Sequence, residues 1–275
     1  MPKRPKRVLI TSDWHCGHLV GLTPPDWQEP GLRPHSAKFA AIERECWDFF
    51  SREVKALQPI DVHLCLGDVI DGSGTRSGGT ELITTDRNQQ VEIAAEVMDL
   101  IHAPVNVVCK GTPYHTGVVE ELEDVLALQM KSRDRPWCKT FKIGNHEWVE
   151  VNGVTFDLKH KVGGSQIPHG RYTASARDVL WNVLWHESGY QPRADILLRG
   201  HVHYAVGGYR YVGARRKQFG TMPALQAMGT RYGGKECSGL VDYGFYYFDI
   251  DENGGITWGE RMLFVKSQKA KALVV

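Results

Sequence analysis

The sequence predicts a layered α/β protein. Short apolar strands alternate along the chain with amphipathic helices, which is the pattern of such folds. Three of the strands end in Asp and His residues, in the segments Asp13–His15, Gly67–Asp71 and Gly200–His203. Open α/β sheets place their active sites at the carboxyl ends of their strands. Because Asp and His together suit Mn, Fe, Zn, Ni or Co, the pattern predicts metal-dependent chemistry at one sheet edge.

The individual elements follow from residue periodicity and turn signals. The predicted strands are Val8–Thr11, Val62–Leu66, Val105–Cys109, Glu147–Val151, Val154–Leu158 and Ile196–Leu198. The predicted helices are Ser36–Leu57, Asp86–Ile101, Glu120–Lys131 and Ala174–His186. Asn152-Gly153 predicts a two-residue hairpin turn, and the acidic first turn of the third helix suits the helix dipole. The β-like segments of Gly207–Gly259 predict a second, antiparallel sheet or a cap.

Composition bounds the class of protein. The 275 residues are 42% hydrophobic and 24% charged, and 33 basic residues face 32 acidic ones, so the whole chain has no net attraction for nucleic acid. Scattered cysteines, no signal peptide and no run of about 18 apolar residues predict a cytoplasmic protein without a membrane partner. We expect a basic tail over 1–7, one domain over 8–266 and a C-terminal tail over 267–275, and the sequence leaves the oligomeric state open.

The three motifs read DxH, GDxxD and GHxH in chain order, and from Val8 to Phe248 the sequence resembles the calcineurin-like metallophosphoesterases. The resemblance implies a four-layer α/β/β/α sandwich of two mixed sheets flanked by helices. It also implies two divalent transition-metal ions, Mn first among Fe, Zn, Ni and Co. The ligands that it implies are Asp13, His15 and His203 for the first metal, Asp68 bridging both metals, His201 for the second, and His160 at the end of the strand after the hairpin.

One family motif has two candidates in this chain. The family carries Gly-Asn-His-Asp/Glu after its third strand, and Gly144–Glu147 matches those letters. Gly111–His115 instead matches the place, directly after the third strand and before a helix. A hairpin arm of five residues spans about 16 Å, which we expect to separate Asn145 from the edge that His160 reaches. We therefore predict that Gly144–Glu147 is a chance match.

Gly111–His115 then supplies the remaining chemistry of the second metal. Thr112 offers a hydroxyl oxygen, a weaker ligand than an asparagine amide. His115 offers three alternatives, namely a ligand to the second metal, the acid that protonates the leaving oxygen, or a donor to phosphate. Asp71 either holds a ligand through a hydrogen bond or caps a turn, and His18 either touches substrate or packs in its loop.

The resemblance implies a dinuclear metal-dependent phosphoesterase that attacks a phosphate ester with a metal-bridging hydroxide. Asp68 and His115 are the predicted catalytic residues, and Arg76, His169 and Arg171 are the predicted substrate contacts. We expect a phosphodiesterase acting on nucleotides or nucleic-acid-like substrates. The alternatives are a phosphomonoesterase of proteins or small molecules, and a non-catalytic binding module that retains the metal.

Overall fold

The computed structural model describes residues 4–32, 34–117, 121–132, 135–213, 215–230, 239–269 and 272–273. The strands are β1 Lys6–Thr11, β2 Val62–Cys65, β3 Val105–Cys109, β4 Thr140–Gly144, β5 His146–Val151, β6 Val154–Lys159, β7 Ile196–Arg199, β8 Val206–Val212, β9 Arg215–Thr221, β10 Tyr243–Ile250 and β11 Ile256–Leu263. The helices are α1 Pro34–Leu57, α2 Arg87–Ile101, α3 Pro113–Thr116, α4 Leu122–Met130 and α5 Arg171–Glu187. Short 3₁₀ turns occur at Pro25–Trp27, Thr75–Ser77, Pro168–Gly170 and Lys266–Gln268.

The strands form two mixed sheets. The first has the order β11-β10-β1-β2-β3-β4, in which β1 to β4 run parallel and β10 joins β1 antiparallel. The second has the order β5-β6-β7-β9-β8, in which β6, β7 and β9 run parallel and the two outer strands run antiparallel. Parallel strands need long crossover connections, and α1, α2 and α5 supply them.

The two sheets pack face to face between layers of helices. In β1 the side chains of Val8 and Ile10 face the second sheet, whereas Leu9 belongs to the cluster under α1, α2 and α4. This alternation follows from the two-residue period of a strand, and a strand covered on both faces is apolar throughout. On the far side, Val179 of α5 packs on Leu197 and Phe219. The four-layer α/β/β/α sandwich is therefore confirmed.

Several elements differ from the sequence prediction. β4 was not expected, because its exposed and half-buried residues give a weak apolar pattern. The segment predicted as a separate sheet or cap instead adds β8 and β9 to the second sheet and β10 and β11 to the first. Strand propensity is local, but the choice of partner strand depends on contacts that are distant in sequence. Glu120 and Cys237 lie outside the described residues.

The carboxyl ends of β1, β2, β3, β6 and β7 all meet at one edge of the sandwich. The backbone N–H of Asp13 donates to the carbonyl of Gly67, and the Cys109 Sγ donates to the carbonyl of Leu158 on the opposite sheet. Residues that follow these strands therefore face one another across both sheets. None of the helices described here combines the length and apolar character needed to cross a bilayer.

Candidate metal centre

Among the described residues, three groups of Asp and His at this edge could each hold a metal ion, and one of them is His15, Asp71 and His115. The other two, the triads, consist only of ligands that the resemblance implies. In the first, Asp13 Oδ1 lies 3.3 Å from Nε2 of His203 and 4.0 Å from Nε2 of His15. In the second, Asp68 Oδ2 lies 3.0 Å from Nε2 of His160, and His201 completes the group. Within each triad the potential ligand atoms lie within 4.8 Å of one another. All six ligands implied by the resemblance thus converge on two neighbouring points.

The backbone at this edge is strained. Non-glycine residues rarely adopt a positive φ, because Cβ then approaches the following carbonyl oxygen. The described residues include seven of them, and five are candidate ligands, with φ between 47° and 75°: Asp13, His15, Asp68, His201 and His203. Such strain costs about 1–3 kcal/mol per residue and persists where the surrounding structure enforces it. The sharp turn after each strand aims these side chains across the sheet edge.

The hydrogen bonds of three histidines fix which ring nitrogen faces the centre. His15 Nδ1 donates to Asp71 Oδ1 over 2.9 Å, and His115 Nδ1 donates to the carbonyl of Asp71 over 2.7 Å. His160 Nδ1 donates to the carbonyl of Leu66 over 2.5 Å. With Nδ1 protonated, each neutral ring presents the lone pair of Nε2, as ligand histidines do. Asp71 therefore holds a candidate ligand, which was one of its two predicted roles.

The donors present fit divalent transition metals. His160 Nε2 is buried without an aligned hydrogen-bond partner, although Asp68 Oδ2 lies only 3.0 Å away. A buried nitrogen that approaches a carboxylate without an aligned hydrogen bond is costly unless a proton or a metal ion lies between the two atoms. Burial opposes a charge on His160, but Asp68 outweighs burial and raises the pKa of His160 to about 9. Without metal, a proton lies between His160 Nε2 and Asp68 Oδ2. A metal ion can replace that proton, because Asp and His donors suit transition metals.

The other ionisable groups carry the charge that metal binding needs. Burial would raise the pKa of Asp68, but the neighbouring His160 outweighs burial and lowers it to about 2. Asp13 likewise has a pKa far below its usual range, because His203 outweighs burial. Burial, with the nearby His115, lowers the pKa of His15 to about 4. At neutral pH both carboxylates are therefore ionised and His15 is neutral.

The Gly111–His115 segment reaches the centre. The backbone N–H of Thr112 donates to Asp68 Oδ1 over 2.7 Å, and its hydroxyl lies 3.3 Å from the same oxygen. Thr112 thus holds the Asp68 carboxylate through two donors. His115 Nε2 lies 4.0 Å from Asp68 Oδ2, and its ring packs edge-on against His15 at 4.5 Å.

Asn145 lies at the metal edge, and the predicted separation from that edge is wrong. Gly144 pairs with Cys109 at the end of β3, and His146 pairs with Lys159 beside His160. The two arms of the hairpin run antiparallel, so the start of β5 lies beside the end of β6. The length of an arm therefore separates the Asn152-Gly153 turn from the metal edge, and it does not separate Asn145 from His160.

Asn145 is nevertheless exposed and lines neither of the two cavities that border the triads. His146 Nε2 forms a 2.8 Å bond with Asp157, which belongs to a charged cluster on the other face of β6 with Arg199.

Two cavities open from the triads and contain two of the three predicted substrate contacts. A cavity of about 220 Å³ is bordered by Arg76, and one of about 500 Å³ by Arg171, while His201 and His203 line both. The third predicted contact, His169, is exposed in a 3₁₀ turn and lines neither cavity. His169 and Arg171 are polar residues only two positions apart, and nothing in the sequence indicates which of them reaches a cavity. His18 lines the smaller cavity, and its Nδ1 accepts from the backbone N–H of Val20.

Two buried residues that hold the ligand loops were missed in the sequence. Glu123 accepts from the backbone N–H of Gly111 over 3.0 Å and lies 3.5 Å from that of Val69. Burial raises the pKa of Glu123 to about 8, although the hydrogen bond from Gly111 opposes this. Gln90 pairs its side-chain amide with both the N–H and the carbonyl of Gly72 at 2.8 Å. In the sequence, an acidic residue in the first turn of a helix indicates only stabilisation of the helix dipole. The role of Glu123 in holding the ligand loops becomes visible only from its burial against them.

Comparison with family models finds no match, and comparison with curated proteins finds none either. Among solved structures, Vps29 of Entamoeba histolytica, complexed with Zn²⁺, is 14% identical with a TM-score of 0.42, over 93% of this chain and 98% of that one. The purple acid phosphatase PPD1 of yellow lupin (Lupinus luteus) seeds is 11% identical with a TM-score of 0.42, over 94% of this chain and 51% of that one. Similarity at this level adds no argument, and the case for function depends on the residues of this chain.

Proposed function

We propose that this protein is a dinuclear metal-dependent phosphoesterase that hydrolyses phosphodiesters. The observation that carries the proposal is the pair of adjoining Asp and His triads, held by strained turns at the ends of β1, β2 and β7. The buried His160 Nε2, which lies 3.0 Å from Asp68 Oδ2 without an aligned hydrogen bond, supports a cation at this position. Bound metals would supply Lewis acidity that offsets the charge of phosphate and lowers the pKa of water.

In this proposal the two triads hold one metal each, with Mn²⁺ the first to be tested. Asp13, His15 and His203 hold the first metal. Asp68, His160 and His201 hold the second metal, and Asp68 also bridges to the first metal, as the resemblance implies. Asp71 keeps His15 in the tautomer that leaves Nε2 free, and Thr112 keeps Asp68 oriented through Oδ1.

We assign His115 to the second metal as well. Its Nε2 lies 4.0 Å from Asp68 Oδ2, the same separation as between His15 Nε2 and Asp13 Oδ1 within the first triad. The bond from its Nδ1 to the Asp71 carbonyl leaves Nε2 facing the centre. Imidazole is a good transition-metal ligand, so His115 substitutes for the asparagine of the family motif. His115→Ala should then reduce the Mn²⁺ bound at a fixed concentration from two ions toward one, measured by titration calorimetry.

The surroundings of the triads favour a diester. The two cavities adjoin at His201 and His203, so a phosphate at the centre has room for a substituent on each side. A monoester needs only one such space.

The test is turnover of bis(p-nitrophenyl) phosphate and p-nitrophenyl phosphate with Mn²⁺, Ni²⁺, Co²⁺, Fe²⁺ or Zn²⁺. We expect metal-dependent turnover with the diester preferred, its loss in Asp68→Asn, and its retention in His146→Ala, a matched histidine outside the centre. Faster turnover of the monoester would favour a phosphomonoesterase. Metal binding without turnover of either ester would favour a binding module.

A further inference from the structure

The two cavities beside the triads are built alike. In the smaller one, the guanidinium of Arg76 lies over the ring of Tyr114 at 4.9 Å. In the larger one, that of Arg171 lies over the ring of Tyr204 at 4.3 Å. An arginine stacked on an aromatic ring keeps its N–H groups free for an anion, while the ring restricts its motion.

Neither arginine forms an ion pair with any residue that the structure describes. Among the described parts of the chain, neither guanidinium has a carboxylate within ion-pair distance, whereas Arg7, Arg135 and Arg199 each do. Arg171 Nε is also buried without a hydrogen-bond partner. Unpaired cations that line cavities are suited to bind anionic groups of a ligand.

Each arginine–tyrosine pair shares its cavity with candidate ligands. Tyr114 directly precedes His115, and Tyr204 directly follows His203. Arg76 and Tyr114 line the smaller cavity and Arg171 and Tyr204 the larger one, while His201 and His203 line both. Each of the two cavities that meet at these histidines therefore holds one positive charge.

We propose that the substrate is a nucleic-acid strand whose scissile phosphodiester has a further phosphate on each side, one bound by Arg76 and the other by Arg171. This inference rests on the proposed function. Nucleic acid carries one phosphate per nucleotide along each strand, so every internal linkage has such neighbours. The balanced charge of the whole chain is consistent with this, since the recognition is local and limited to two phosphates.

The test compares a substrate that has flanking phosphates with one that lacks them. The first is 5′-fluorescein-labelled tetrathymidylate, and the second is bis(p-nitrophenyl) phosphate. Arg76→Gln and Arg171→Gln should each lower kcat/KM for the tetranucleotide about tenfold, the scale of one lost charge-assisted contact, and lower that for the small diester by a clearly smaller factor. Arg216→Gln is the matched control, because Arg216 also stacks on a tyrosine, Tyr209 at 4.6 Å, but lines neither cavity.

Binding provides a readout that is independent of turnover. A tetrathymidylate whose central linkage is an uncleavable, neutral methylphosphonate keeps both flanking phosphates, and its Kd is measured by fluorescence anisotropy on the Mn²⁺-loaded protein. Each of the two variants should raise this Kd about tenfold and reduce its dependence on salt, whereas the control should change neither.

The outcomes separate this inference from the proposed function. A loss in only one of the two variants, or equal losses with both substrates, would overturn the two-sided site. Turnover of the small diester without cleavage of the tetranucleotide would also overturn it, while the proposed phosphodiesterase would stand. No turnover of either diester with any of the metals would contradict the proposed function itself.

Discussion

Gly111 is a position at which one added methyl group should disturb the candidate metal centre. A Cβ at this residue would lie 2.1 Å from Asp68 Oδ1 and 2.4 Å from the backbone nitrogen of Asp68. Real Cβ atoms essentially never come closer than 3.0 Å, so Gly111→Ala must move Oδ1 by roughly 0.9 Å and the two loops apart by roughly 0.6 Å. The obstacle includes backbone atoms, which cannot rotate out of the way.

The displacement acts on the contacts that orient Asp68. The next residue, Thr112, donates its backbone N–H to Asp68 Oδ1, and the N–H of Gly111 itself donates to Glu123. Displacing a group that orients a metal ligand typically costs 10–100-fold in metal affinity, and a misplacement of about 1 Å costs about 100-fold in rate. Overpacking costs about 1–3 kcal/mol of stability, which at about 2–4 °C per kcal/mol predicts a lower Tm.

The assay is titration of Mn²⁺ by calorimetry, with Tm and diester turnover measured on the same samples. Gly163→Ala is the matched control, since a Cβ there would meet only Ala174 Cβ at an ordinary 3.6 Å. We expect Gly111→Ala to weaken Mn²⁺ binding at least tenfold and Gly163→Ala to leave it unchanged. Wild-type Mn²⁺ affinity and turnover in Gly111→Ala would refute the steric reasoning.

Three further variants test the electrostatics of the site. Glu123 has a pKa of about 8 in the folded protein, against 4.5 in the unfolded chain. Its contribution to stability is complete below pH 4.5 and is lost as pH rises through 8. In EDTA the free energy of unfolding, measured by urea denaturation, should therefore fall between these pH values, and it should fall less in Glu123→Gln. His160, whose pKa is about 9, must lose its proton when metal binds. At pH 7, Mn²⁺ binding should therefore release a proton from the wild-type protein that is not released from His160→Gln, as calorimetry in buffers of different ionisation enthalpy would reveal. Equal proton release from both proteins would count against His160 as a ligand. His146→Ala removes one 2.8 Å hydrogen bond to Asp157, which keeps its 2.7 Å bond from Arg199. We therefore expect about 1 kcal/mol of lost stability and an unchanged Mn²⁺ affinity. A large loss of Mn²⁺ affinity would instead place His146 at the metal centre.

The convergence of the metal ligands could be predicted from the sequence with good reason. Asp13, Asp68 and His201 each follow an apolar run within a few residues, and the carboxyl ends of parallel strands share one edge whatever the packing details. The buried strands and the long helices followed in the same way from periodicity, since that signal is local. His115 was placed at the edge for the same reason, by its position after β3 rather than by its letters.

Other features required distances that no local pattern encodes. Asn145 reaches the same edge as His160 but is exposed, whereas His115 lines the cavity at the triads, and only strand register and burial distinguish the two. Glu123 acts through its burial, which depends on how α4 lies against the loops that follow β2 and β3.

The sequence by itself determined the layered α/β fold, the residues at its strand ends and their metal-binding chemistry, because these follow from strand period and from ligand type. The tertiary structure decided which of those residues meet. His160 binds the Leu66 carbonyl across 94 residues, and His15 meets His203 across 188. It also placed Arg76 and Arg171 in two different cavities that share His201 and His203, and left His169 exposed. Such contacts depend on how two sheets pack against each other, and residues that are neighbours in the chain carry no information about that.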